Sequence, residues 1–237
     1  MKVLYRISEA GYAKRKPHYV NPRNILEHFL KVFHGYEIIV IADNVTDGLY
    51  EFITARTPTC IRTSLSNAGA FMFAVQYAIE HFQDSDKVYF AEDDYVYTRN
   101  APKIIEEGLT IAQYSSGYDH PDKYLNHKEG GPNPYIAEGG ELSRVVITAS
   151  SHWKFTNSCC MTFATTVKTL KEDLDVIKRY CSARHPHDFP MFQELILHRN
   201  RKLVSPLPSV STHGETEWLA KFIDWEKEVE NSISTHS

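Results

Sequence analysis

Short apolar runs alternate with segments of helical spacing through the first part of the chain, and this alternation limits the fold more than any other feature. We predict strands at Val3–Ile7, Glu37–Asn44, Thr59–Thr63 and Lys87–Ala91. The second run is apolar at almost every position, as expected for a parallel strand that is covered on both faces. Strands that alternate with helices form a parallel sheet with right-handed crossovers. The sequence therefore predicts an α/β fold.

The segments between these strands carry signals for the start of a helix. Asn21 precedes Pro22, which suits an N-cap followed by proline at the first helical position. A later helix can be capped by Ser66 or Asn67, and it is apolar on nearly all sides, so we expect it to be buried. A short helix is expected before the third strand, and another from residue 100 to about residue 113.

The second half of the chain has a different pattern. Residues 114–142 are rich in Gly, Pro, His and Tyr, which predicts long loops that form the wall of a site. Residues 144–166 alternate enough for two strands. Amphipathic helices are predicted at residues 167–181, 187–200 and 218–231. We find no domain boundary, so a single domain is predicted over residues 1–237.

Composition excludes several classes of protein. The net charge of -4 gives no electrostatic reason to bind nucleic acid. The four cysteines include no CxxC, which is typical of neither a disulfide framework nor a zinc site and fits a reducing compartment. The N-terminus turns polar after seven residues, and nowhere do eighteen apolar residues run together. We therefore expect a soluble cytoplasmic protein without a transmembrane span.

Three acidic residues, Glu92, Asp93 and Asp94, directly follow the fourth predicted strand. Adjacent carboxylates raise one another's pKa, and a divalent cation removes that penalty. In an extended segment Glu92 and Asp94 point to one side and Asp93 to the other. Oxygen ligands suit Mg²⁺ or Mn²⁺, particularly when substrate phosphates complete the shell. The triplet therefore predicts a site for a metal-bound phosphorylated substrate, with a solvated acidic turn as the alternative.

The stretch that contains this triplet resembles the centre of GT-A-fold glycosyltransferases. Asn67 and Gly69 match the Asn-x-Gly turn that opens a helix in that family, and residues 92–94 match the DxD-type motif that ends the next strand. Glu92 stands where the family more often has Asp. The resemblance covers roughly the first 115 residues, with scattered points after them.

This resemblance implies a Rossmann-like, mostly parallel sheet flanked by helices, with a mixed acceptor-side half. The nucleotide-sugar-binding half would span about residues 1–115, and the acceptor and catalytic half about residues 116–237. Ligands of such sheets bind at the carboxyl ends of the strands. Asp94 would coordinate Mn²⁺ or Mg²⁺, and His213 would be an additional late ligand. The residues expected to bind a UDP- or GDP-sugar are Arg6, Ser8, Asp43, Arg62, Asn67, Glu92 and Asp93.

The implied reaction moves a sugar from the nucleotide diphosphate to a hydroxyl of a glycan or related acceptor, with inversion expected. An inverting transfer needs a carboxylate near the acceptor as base, and Asp188 is the predicted one. Asp188 could instead only cap the helix that it begins, and Glu194 is the rival base. His120, Asp122 and Trp153 are candidate acceptor contacts.

Two other functions stay open. Sugar nucleotidyltransferases usually carry a Gly-rich loop and a basic residue after the first strand, whereas residues 6–17 contain Lys14, Arg15 and Lys16 but one Gly. A non-catalytic nucleotide- or glycan-binding module would keep the acid triplet without needing a metal. A Rossmann dehydrogenase does not fit, because no GxGxxG follows the first strand.

Overall fold

The computed structural model describes residues 1–10, 14–131, 136 and 138–233. The predicted alternation of strands and helices in the first part of the chain is confirmed. Asn21 and Ser66 cap the two long helices, each accepting a hydrogen bond from a backbone N–H three residues on. The elements are β1 (Lys2–Ser8), α1 (Pro22–Val32), β2 (Glu37–Asp43), α2 (Asp47–Thr54), β3 (Cys60–Thr63), α3 (Asn67–His81) and β4 (Lys87–Glu92).

The second part of the chain departs from the prediction in several places. Three strands, not two, lie between residues 144 and 166, and the helix expected from residue 100 ends at Gly108. Residues 114–142 hold one short strand and two 3₁₀ turns, while residues 132–135 and 137 of this stretch lie outside the described residues. The elements are β5 (Tyr95–Tyr97), α4 (Ala101–Gly108), β6 (Tyr114–Ser115), β7 (Val145–Ile147), β8 (His152–Thr156), β9 (Phe163–Thr166), α5 (Val167–Tyr180), α6 (Asp188–Arg199), β10 (Leu203–Leu207), β11 (Ser211–His213) and α7 (Trp225–Ile233).

The last helix begins later than its sequence pattern suggests. Asp224 Oδ1 accepts a hydrogen bond from the backbone N–H of Lys227 at 3.3 Å, as an N-cap side chain does. The helix therefore starts at Trp225 instead of residue 218.

Within the described residues the main sheet has nine strands in the order β3-β2-β1-β4-β9-β6-β10-β8-β7. The first four are parallel to one another. In the other half, β9 and β8 run opposite to the remaining strands. The fold is therefore α/β, with a mostly parallel sheet and a mixed second half, as predicted.

Helices cover both faces of this sheet, so the molecule has three layers. Alternate residues of β1 divide between two cores, with Tyr5 in one and Leu4 in the other. The first core packs the sheet against α1, α2, α4 and α7, and the second against α3, α5 and α6. No helix among the described residues is long and apolar enough to cross a membrane.

A separate antiparallel pair joins β5 to β11, with His213 opposite Tyr95. The sequence analysis did not predict either strand. The buried side chain of His28 on α1 supports this pair, because its Nε2 accepts a hydrogen bond from the backbone N–H of Tyr97 at 3.0 Å. Its Nδ1 lies 2.8 Å from Ser232 Oγ on α7. The pairing brings a late segment of the chain to the end of β4.

Candidate active site

A cleft of about 750 Å³ opens at the carboxyl ends of β1, β2 and β4. Residues 160–161, residues 184–186 and Asp188 form part of its wall. The cleft lies where the sequence analysis expected a ligand, at the strand ends. The predicted site residues that line it are Arg6, Ser8, Asp43, Asn67, Glu92, Asp93, Asp94, Asp188 and His213.

The acid triplet is not extended as expected, since Asp93 and Asp94 form a turn between β4 and β5. Glu92 turns to β1, where its Oε1 accepts a hydrogen bond from Arg6 Nη2 at 2.5 Å. Arg6 Nη1 also donates to Asn67 Oδ1 at 2.8 Å. Burial raises the pKa of Glu92, although the Arg6 charge opposes the shift. Arg6 thus holds Glu92 and the start of α3 together at the cleft wall.

Asp93 ties the end of β4 to the end of β1. Its Oδ2 accepts a hydrogen bond from the backbone N–H of Ser8 at 3.0 Å. Burial and the neighbouring charge of Asp94 raise the pKa of Asp93 to about 7. A cation bound beside this turn would relieve that repulsion.

Asp94 and His213 form a partly buried ion pair. Asp94 Oδ2 lies 3.1 Å from His213 Nε2 and 3.5 Å from Lys16 Nζ. Burial opposes ionisation of Asp94, but the charge and hydrogen bond of His213 hold its pKa well below the usual range. Burial likewise disfavours the charged form of His213, but the charge and hydrogen bond of Asp94 and the contact with Glu215 together outweigh it and raise the pKa of His213 to about 9. Glu215 Oε2 lies 3.3 Å from His213 Nδ1, and this contact lowers the pKa of Glu215 to about 2.

The donor groups around Asp94 fit a divalent cation. Asp94 Oδ2 and His213 Nε2 both line the cleft and lie 3.1 Å apart, so a cation that displaces the proton between them could take both as ligands. Asp94 Oδ1 is buried and, within the described part of the chain, has no hydrogen-bond partner. Across these same ranges, no cluster of three or more His, Cys, Asp or Glu side chains is assembled around one point. A cation here would therefore take much of its shell from substrate and water, as Mg²⁺ commonly does.

Two lysines that the sequence analysis did not assign to the site also line the cleft. Lys14 Nζ lies 2.8 Å from Glu215 Oε1, and Lys16 Nζ approaches Asp94. The backbone N–H of Thr216 donates to the carbonyl of Arg15 at 3.0 Å, which fixes this segment beside β11. Their spacing could have indicated this role, because two lysines two positions apart in an extended segment point to the same side.

Of the predicted site residues Asp43 and Arg62, the first lines the cleft and the second does not. Asp43 lines the cleft and organises the loop after β3, because its Oδ1 accepts from Thr63 Oγ1 at 2.9 Å and from the backbone N–H of Leu65 at 2.6 Å. Arg62 is not among the cleft-lining residues. Its guanidinium lies 2.8 Å from Asp47 Oδ1 and over the ring of Tyr50. That Arg62 reaches a base or phosphate of the ligand stays a prediction.

Asp188 lines the cleft but does not cap its own helix. The N-cap of α6 is His187, which makes no side-chain capping bond. Asp188 Oδ2 instead accepts backbone hydrogen bonds from Cys159 at 3.0 Å and Cys160 at 2.7 Å. Cys160 and Met161 have φ values of 49° and 57°, which are costly for residues with a side chain. Asp188 therefore stabilises a strained turn in the cleft wall.

The rival base Glu194 lies elsewhere. It lines a separate hollow of about 260 Å³ on α6, where its Oε1 is 2.6 Å from Arg179 Nη1.

Of the candidate acceptor contacts, His120 lines the cleft, and its Nδ1 is 2.9 Å from Asp122 Oδ1. Trp153 is fully buried and donates from Nε1 to Thr148 Oγ1 at 2.7 Å, so its predicted contact with an acceptor was wrong.

Comparison with known proteins yields structural likeness only. No protein-family model matches the chain, and no curated protein matches it by sequence. Among solved structures, a nucleotidyl transferase from Methanothermobacter thermautotrophicus has a TM-score of 0.49 and 12% identity, with 99% of each chain covered. The 4-diphosphocytidyl-2C-methyl-D-erythritol synthase of Anaerococcus prevotii has a TM-score of 0.46 and 13% identity, over 99% of this chain and 95% of that one.

A glycosyltransferase of Streptococcus pneumoniae, GlyE, has a TM-score of 0.42 and 11% identity, over 86% of this chain and 44% of that one. All three TM-scores lie below 0.5. These likenesses therefore carry no argument about the function of this chain.

Proposed function

We propose that the chain is a metal-dependent glycosyltransferase that moves a sugar from a nucleotide diphosphate to an acceptor hydroxyl. The observation that carries the proposal is the Asp94–His213 pair at the carboxyl end of β4, with Asp94 Oδ1 buried and unpartnered within the described residues. Asp94 and His213 would hold Mn²⁺ or Mg²⁺, which would stabilise the departing diphosphate as a Lewis acid.

The basic residues of the cleft suit a diphosphate. Lys14 and Lys16 lie beside the proposed ion position, each paired with a carboxylate. Their flexible side chains can turn from those carboxylates to phosphate oxygens once a cation neutralises Asp94. Arg6 bonds Glu92, and this contact would keep that carboxylate in place beside the proposed nucleotide.

Asp188 is the proposed base for an inverting transfer. One of its oxygens is held by two backbone N–H groups, which fixes the orientation of the carboxylate. The other oxygen is left to accept the proton of an acceptor hydroxyl, provided that the hydroxyl comes within hydrogen-bond reach. The residue would thus both stabilise the turn at Cys160 and take the proton.

Nucleotidyl transfer to a sugar phosphate is the second candidate. The observation that favours it is the position of Lys14 and Lys16, which follow β1 and lie in the cleft, as the basic segment of such enzymes would. The two reactions release different products. Glycosyl transfer releases a nucleoside diphosphate, whereas nucleotidyl transfer releases pyrophosphate.

Product analysis tests the proposal. The purified chain is incubated with Mn²⁺ and either a set of UDP- and GDP-sugars or a nucleoside triphosphate with sugar 1-phosphates. Metal-dependent release of nucleoside diphosphate supports the glycosyltransferase. Release of pyrophosphate without release of a nucleoside diphosphate supports nucleotidyl transfer. Metal-dependent nucleotide binding that yields neither product supports a non-catalytic module.

A further inference from the structure

A row of aromatic rings extends from the proposed ion position past His120, which lines the cleft, to Trp218. The ring of His213 lies 6.4 Å from Tyr118, Tyr118 lies 5.0 Å from His120, and His120 lies 5.6 Å from Trp218, measured between centroids. Both histidines line the cleft, and Tyr118 is buried behind them. Trp218 is half-buried and ends the row on the outer side.

The backbone of Trp218 is fixed on both sides. Its N–H donates to the carbonyl of Glu215 at 2.9 Å, and its carbonyl accepts from the buried hydroxyl of Tyr118 at 2.6 Å. A segment whose backbone is held in place before a ligand arrives loses little conformational entropy on binding. This arrangement distinguishes Trp218 from Phe222, which is 95% exposed and projects from the same segment.

His120 adds a polar group beside the indole. Its Nδ1 is occupied by Asp122, whose backbone N–H donates to it at 3.2 Å and whose Oδ1 is 2.9 Å away. Nε2 is then the ring nitrogen left to bond a ligand. An aromatic face next to a fixed polar atom suits a sugar ring, which has C–H groups on one face and hydroxyls at its edge.

We infer that Trp218 and His120 form the platform for a sugar ring of the acceptor, with the C–H face of the sugar on the indole and a hydroxyl at His120 Nε2. The inference rests on the proposed glycosyl transfer for the role of this sugar as acceptor. It assigns to Trp218 the contact that the sequence analysis gave to Trp153.

The three tryptophans of the chain make the platform observable without a label. Trp153 and Trp225 are buried, at 0% and 3% exposure, so a saccharide added to the solution can reach the indole of Trp218 and neither of theirs. Maltose, cellobiose and lactose serve as probes in a fluorescence titration with the nucleoside diphosphate and Mn²⁺ present. We expect a saturable change with at least one probe. The change should be absent in Trp218→Leu and unaltered in the matched control Phe222→Leu.

A kinetic measurement separates this inference from the proposed function. Trp218→Leu should raise the KM for a saccharide acceptor by about tenfold or more, which corresponds to about 1.4 kcal/mol, and should leave metal-dependent nucleotide binding unchanged. If the wild-type chain binds no nucleotide but the saccharide titration still depends on Trp218, the proposed transfer fails and the saccharide site stands. A titration with no change for all three probes, or a change that persists in Trp218→Leu, overturns the platform.

Discussion

Asp94 Oδ2 and His213 Nε2 lie 3.1 Å apart although 119 positions separate the two residues in the chain. The antiparallel pairing of β5 with β11 sets this distance, because it places His213 opposite Tyr95, the residue after Asp94. The ring of His213 also stacks on that of Tyr95, with centroids 5.1 Å apart. The proposed ion site is therefore a product of tertiary pairing, and removal of either side chain should affect the metal without unfolding the sheet.

Replacement of His213 should weaken metal binding. In His213→Gln the nitrogen ligand is lost, so the Mn²⁺ concentration for half-maximal nucleotide binding should rise on the order of 10–100-fold. A metal titration followed by calorimetry measures this shift. His152→Gln, an exposed histidine on β8, is the control, and an unchanged curve for His213→Gln would remove it from the ion site.

Two substitutions of Asp188 separate its two proposed roles. Asn retains an oxygen for the N–H groups of Cys159 and Cys160, whereas it cannot take a proton. Asp188→Asn should therefore lower kcat by on the order of 10²–10⁴-fold with the melting temperature nearly unchanged. Asp188→Ala should in addition lower the melting temperature, because the strained turn loses its anchor. Near-native turnover in Asp188→Asn would leave the residue with the structural role alone.

Lys16 should have opposite effects on the metal and on the nucleotide. In the absence of ligand its ammonium group lies 3.5 Å from Asp94 Oδ2 and competes with a cation. Lys16→Met should therefore bind free Mn²⁺ more tightly and a nucleoside diphosphate with Mn²⁺ more weakly, each by a few-fold. Lys103→Met, at an exposed position on α4, is the control. Unchanged nucleotide affinity in Lys16→Met would argue against a phosphate contact.

The pH dependence of stability should report on His28. Burial lowers the pKa of His28 to about 4, against about 6.5 in the unfolded chain. Between these values the unfolded state binds more protons, so the free energy of unfolding falls as the pH drops from about 6.5 toward 4, by about 3 kcal/mol for this group. Denaturant titrations of His28→Gln should show a smaller loss over this range than the wild-type chain, whereas the exposed His34→Gln should match the wild type. Equal losses in all three would show that His28 contributes nothing.

Local patterns in the sequence account for the first half of the fold. The apolar run of β2 and the caps at Asn21 and Ser66 act over a few residues, so they are legible without knowledge of the rest of the chain. The pairing of β5 with β11 could not be predicted from the sequence, because each strand has three residues and the two meet only through tertiary packing. Such short segments carry too little periodicity to identify a strand.

In the candidate site, too, features set by local sequence were predictable and features set by tertiary contacts were not. The acids at the end of β4 were predictable from their position after a buried strand. The direction in which a side chain points was not predictable: Arg62, which follows β3, bonds Asp47 and is not among the residues that line the cleft. The burial of an individual aromatic side chain was not predictable either: Trp153 is fully buried, whereas Trp218 is half-buried. Both depend on contacts between distant segments.

The dependence of nucleotide affinity on the metal tests the central claim most directly. Calorimetric titration of UDP and GDP into the wild-type chain, with Mn²⁺ and then with EDTA, should show binding of at least one of them that weakens on the order of 100-fold in EDTA, about 2.7 kcal/mol. Asp94→Asn, which keeps the size of the side chain, should bind the nucleotide equally weakly under both conditions. Its melting temperature should fall, because the ion pair with His213 is lost, so its folded state is confirmed by circular dichroism at the temperature of the titration. Equal affinity of the wild-type chain with and without metal would contradict the account.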